Sequence, residues 1–170
     1  MGFLQTLLPM RSTQPEMPQI STALTQTAID DIMNGIFPPL PVRLLSLKTG
    51  EQCFYCDYAV RIIEKLQVVG RRRRGGGVSV RILRGLTCRV GTGGNDLIRD
   101  NVPEYTKGKL YLTDKRIVFS ASKTAFQKPL EQVVSYSGEG KNLTLQFSDM
   151  SCCLFLKTIH CAERVLEHVL

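Results

Sequence analysis

Two short segments of strict alternation, Lys109-Leu110-Tyr111-Leu112-Thr113 and Arg116-Ile117-Val118-Phe119, stand on either side of Asp114-Lys115. A period of two is the signature of a strand, because successive side chains leave it on opposite faces. A two-residue link reverses an antiparallel pair, so this stretch predicts a tight hairpin. Leu110 and Leu112 then share a face with Ile117 and Phe119, and a core must lie on that side. An isolated hairpin is at best marginal in water, so the rest of the chain has to supply more strands or a helix to cover that face.

It supplies both. Cys53 to Val69 is rich in Tyr, Val and Ile and reads as a long strand. Arg71 to Gly77 reads as a hairpin loop, since four arginines repel one another and Gly75, Gly76 and Gly77 free the backbone. Val78, Val80 and Ile82 alternate as a returning strand that runs towards Val90, and a polar connection carrying Gly91, Gly93, Gly94 and Pro103 follows. After the central hairpin, Val133–Tyr136, Leu143–Phe147 and Cys153–Leu156 make three more strands, for seven in all. The period then changes: Ile159, Ala162, Val165, Leu166, Val169 and Leu170 recur at helical spacing, with His160, Glu163, Arg164, Glu167 and His168 on the other face and Thr158 as candidate N-cap. Near the other end, Thr22 to Phe37 predicts a short helix with Ala28, Ile29, Ile32, Met33 and Ile36 on one side, stopped by Pro38, Pro39 and Pro41. The expectation is a mainly β domain over residues 47–170, a bent sandwich or partly open barrel of seven antiparallel strands capped by a C-terminal helix. Residues 1–46 form a leader with the short helix.

Charge is concentrated in one place. From Arg61 to Arg89 nine basic residues face only Glu64, a net of +8, while the rest of the chain sums to −1. Such a field attracts anionic surfaces over about a Debye length, roughly 8–10 Å at physiological salt. The plainer alternative is a solvated basic loop that aids solubility. No apolar run reaches the ~18–20 residues of a membrane span. Met1 to Met10 lack the basic, apolar and small-residue regions of a secretory signal, so the expected compartment is the cytoplasm, with a peripheral position at the inner membrane surface as its refinement. Met1-Gly2-Phe3-Leu4-Gln5-Thr6 fits the short myristoylation pattern formally, and Phe3 argues for chance.

Chemistry beyond charge is sparse. Cys53 and Cys56 have metal-knuckle spacing without a second pair, and on a regular strand they point to opposite faces; the six cysteines read as reduced and structural, with no metal and no cofactor. The two histidines sit on the polar face of the last helix, Asp30 and Asp31 diverge by about 100° on theirs, and Gly91-Thr92-Gly93-Gly94 lacks a P-loop ending, so no catalytic set is assembled and a non-enzyme is expected.

Gly108 to Phe119 resembles the G-x-L-Y-[LIV]-T-x-x-R-[IL]-x-F hairpin of GRAM domains and bacterial PH-like domains, and Pro129-Leu130 with Val133-Val134 is similar to the segment that follows it there. Leu47-Lys48-x-Gly50-Glu51, Ser79-x-Arg81-Ile82-x-x-Gly85 and the terminal helix resemble uncharacterised bacterial PH-like proteins, so the likeness spans Leu44 to Leu170. It implies a PH-like, GRAM-like adaptor. Lipid-binding members hold a headgroup with basic residues at the end of the first strand, in the first loop and at the start of the second strand. Those positions resemble Lys65, Arg71, Arg72, Arg73, Arg74 and Arg81, and Arg84 extends the same patch. Guanidinium forks match phosphate oxygens bidentately, which is the independent reason to favour anionic lipid. The spacing departs from the K-x(n)-[KR]-x-R order, which favours a nonspecific anionic patch over a shaped pocket. The expected partner is an anionic membrane surface or a partner protein. Single-stranded nucleic acid is the lesser alternative, because no aromatic lies near Arg71–Arg74 to stack on bases.

Overall fold

The structure, a computed structural model, describes residues 15–72 and 96–170, with 69–72 and 96–98 described by backbone alone. Its elements are α1 (Gln26–Met33), β1 (Cys53–Arg72), β2 (Asp96–Thr113), β3 (Arg116–Ala121), β4 (Phe126–Pro129), a 3-10 turn at Leu130–Gln132, β5 (Val133–Glu139), β6 (Asn142–Phe147), β7 (Ser151–Leu156) and α2 (Ile159–Val169). One compact unit comprises Glu16–Ile63 and Glu104–Leu170; the described residues 64–72 and 96–103 belong to a second.

The strands form one antiparallel sheet in the order β4-β3-β2-β1-β7-β6-β5. A four-strand meander and a three-strand meander are thus joined where β1 pairs with β7, Ala59 opposite Leu156 and Ile62 opposite Cys153. The central hairpin has the expected register, Leu110 opposite Phe119 and Leu112 opposite Ile117, and all four side chains are fully buried. Within the larger unit the sheet curls round one core. Phe126 on the β4 edge meets Phe119 at 5.9 Å and Phe147 of β6 at 5.7 Å, so strands from both meanders touch across it.

Both helices close this core. α2 buries Ile159, Cys161, Ala162, Val165 and Leu166, whereas Leu170, expected on the apolar face, is 53% exposed just past the helix end. α1 is shorter than its pattern suggested, because Thr25 caps it by accepting a hydrogen bond from the Ala28 amide and Asn34 ends it. It turns Ala28 and Ile32 inward with Leu24 and leaves Met33 and Ile36 exposed.

Three expectations change. The first two concern the strands around the basic segment: β1 continues through Arg72, where a loop was expected, and β2 begins at Asp96, so the stretch 96–103, read as a polar connection, is strand. The returning strand expected at Val78–Val90 lies outside the described residues. Among the described residues seven strands are present, and Phe126–Pro129 is one that alternation over four residues was too short to announce. The third concerns the cysteines. Phe54 and Tyr55 both enter the main core, a slip in alternation of the kind a β-bulge produces, and this brings Cys53 and Cys56 to the same outer face instead of opposite ones.

Candidate functional site

The family-like residues at the central turn turn out to be a structural latch. Thr113 donates to Glu51 Oε1 at 2.8 Å, and Arg116 grips the same carboxylate with Nε at 2.7 Å and Nη2 at 3.0 Å while also reaching the Ser46 carbonyl at 2.7 Å. The Lys48 amide donates to Oε2 at 2.7 Å, so the segment before β1 is tied to the β2–β3 turn. Burial raises the Glu51 carboxyl, but the Arg116, Lys48 and Thr113 donors outweigh it and hold the pKa at about 2. Gly108 is required for a different reason: a Cβ there would lie 2.5 Å from the Ser120 carbonyl and 2.7 Å from the Phe119 ring.

A second polar centre, Asp57, carried no recognisable sequence signal. It is fully buried and accepts hydrogen bonds from the Ala23 amide at 2.5 Å, Thr22 at 2.9 Å and Thr158 at 2.5 Å, which fastens the leader and the start of α2 to β1. Thr158 therefore occupies the N-cap position of α2 without capping it, its hydroxyl being shared with Asp57 and Tyr55. His168, read as a polar-face residue, stacks on Phe37 with ring centroids 4.2 Å apart. These contacts hold elements together.

Of the basic residues, Lys65 lies exposed on β1, Arg71 and Arg72 end that strand, and Arg73, Arg74, Arg81 and Arg84 lie outside the described residues. Arg61, counted in the same charged run, serves the interior: its guanidinium donates to the Thr124 carbonyl and lies 5.1 Å from the Phe126 ring centroid. Thr124 sits in the left-handed region at φ 57°, and the contact braces that turn.

Two surface hollows lie among the described residues. One runs beside the free edge strand β5, lined by Val133, Val134, Tyr136, Glu131 and Leu170 among others. Burial, with Glu167 and Glu163 nearby, pushes the Tyr136 hydroxyl up, which marks this side as acidic. The other, of about 370 Å³, lies on the outer face of β1, β2 and β3 and is lined by Lys107, Lys109, Tyr58, Tyr111 and Leu44 among others, with no acidic residue. Lys109 Nζ stands 4.8 Å from the Tyr58 ring centroid.

Among the described residues no three His, Cys, Asp or Glu side chains gather as metal ligands, and no helix is long and apolar enough to cross a membrane. Desolvation pushes the Cys53 thiol up to about 12 and Cys152 to about 11, so both stay protonated at neutral pH.

No protein-family model matches the chain, and no curated protein matches it. Among solved structures the chain is similar to a Vps36 N-terminal PH domain, at 14% identity and a TM-score of 0.39, over 73% of this chain and 85% of that one. The chain's own strand order, a meander of four joined to a meander of three and finished by a helix, is consistent with a PH-like fold.

Proposed function

We propose that the chain is a non-catalytic PH-like binding module that contacts anionic surfaces, phospholipid headgroups above all, through Lys65, Arg71, Arg72, Arg73, Arg74, Arg81 and Arg84. The observation that carries this reading is the separation of charge: eight basic residues from Lys65 to Arg89 are opposed by no acid within that span. Three cations outside it are held by nearby carboxylates, Arg116 by Glu51, Lys128 by Asp149 and Arg164 by Glu167. A GRAM-like adaptor at the cytoplasmic face of a membrane is the setting in which such a patch has work to do.

Each cation near an anionic membrane contributes on the order of 1 kcal/mol. Replacing Arg71, Arg72, Arg73 and Arg74 by Ser should therefore weaken sedimentation with phosphatidylserine vesicles by two to three orders of magnitude, at a rate of about 1.4 kcal/mol per decade. The thermal midpoint should hardly move. Undiminished binding by the quadruple variant, or equal binding of the parent to neutral vesicles, would discard the lipid reading. Loss of single-stranded nucleic-acid binding in that variant, with no vesicle binding by the parent, would replace it by the nucleic-acid reading.

A further inference from the structure

Among the described residues, the outer face of the four-strand meander is covered in part. Val42 and Leu45 pack against the Cys53, Tyr111 and Val118 cluster, closing one half. Pinned between those two anchors, Arg43 and Leu44 are turned to solvent, with Leu44 77% exposed. A single exposed leucine is ordinary. This one lines a hollow with two lysines and a half-exposed tyrosine.

From this arrangement we propose that the open half of the face, Lys107, Lys109 and Tyr58 with Leu44 at its rim, is a second membrane-contact surface that seats on anionic lipid. The proposal rests on the reading of the chain as a membrane-contacting module and adds a site built from other residues than the arginines. Lys107 and Lys109 are two apart on β2, with Cα atoms about 7 Å apart on one face, so both ammonium groups can converge on one headgroup phosphate. The Tyr58 ring supports the Lys109 ammonium and offers the amphipathic surface that suits the interfacial layer. Leu44 supplies the apolar contact that enters below the headgroups. Charge decides the class of partner. No lining residue is acidic here, whereas the β5 hollow contains Glu131 and lies near Glu163 and Glu167.

The chain has no tryptophan, so L44W places a single fluorescent reporter at the rim. Its emission should shift to the blue and be quenched by brominated acyl chains on phosphatidylserine-containing vesicles, and do neither on phosphatidylcholine alone. In sedimentation, the double variant Lys107→Gln with Lys109→Gln should bind phosphatidylserine vesicles roughly tenfold or more weakly than the parent. Leu44→Ser, which leaves charge untouched, should also weaken binding. Circular dichroism melts of all variants should match the parent. If the parent sediments but the L44W emission stays that of a solvent-exposed indole, or the double lysine variant binds like the parent, this second surface is refuted while the arginine reading stands. If the parent does not sediment with anionic vesicles, both are refuted.

Discussion

Arg116 and Glu51 meet across 65 positions of sequence, and their side chains are 8% and 0% exposed. A buried pair of this kind contributes little net stability against an apolar substitute, yet losing one partner strands the other and costs about 3–5 kcal/mol. Its pH dependence follows from the sign of the shift. Glu51 has a folded pKa of about 2, below its ordinary 4.5, so its contribution is complete above pH 4.5 and is lost as pH falls towards 2. The shift corresponds to roughly 3 kcal/mol. Urea titrations at pH 7 and near pH 2.5 should show the parent losing much of that amount, whereas Glu51→Gln, less stable at pH 7, should lose distinctly less on acidification. The Thr-x-x-Arg and Gly-Glu pieces of the family-like pattern are thereby explained as architecture. Their presence in the sequence was plain; that they meet was not.

At the scale of elements, α1 shows how a short helix acquires stability from its partners. Eight residues are too few to be helical alone in water. Ile32, 1% exposed, and Ala28 enter the core beside α2, and Asp57 holds the incoming chain at Thr22 and Ala23. Ile32→Ala should cost about 2–4 kcal/mol in chemical denaturation, the range for a buried aliphatic truncation, while Met33→Ala, on the exposed side, should change stability by less than about 0.5 kcal/mol. Equal effects would mean that α1 does not pack as described. Helical periodicity over Thr22–Phe37 was legible, and the face it buries was correctly read at Ala28 and Ile32. Its ends were decided by the Thr25 cap and by Asn34.

For the molecule as a whole, the leader is more than a tether. Residues before position 47 contribute Leu24, Ala28 and Ile32 to the main core and Val42 and Leu45 to the outer cluster. Deleting residues 1–46 should therefore abolish the cooperative transition in scanning calorimetry, while deleting residues 1–14 should retain it. A sharp transition in the shorter chain would establish 47–170 as an independent domain.

What the sequence determined by itself is what repeats over a few neighbours. Leu110, Leu112, Ile117 and Phe119 announce a hairpin and α2 announces its apolar face, since alternation and helical spacing are local and each side chain needs only a core somewhere on its side. The tertiary structure decided where particular polar and irregular residues find their partners. Asp57 gathers donors from Thr22, Ala23 and Thr158, Arg61 turns inward to Thr124, and Cys53 and Cys56 share a face because the chain slips at Phe54–Tyr55. The first two depend on groups far away in the chain that burial forces into hydrogen bonds, the third on a local break in alternation, and no regular period encodes either.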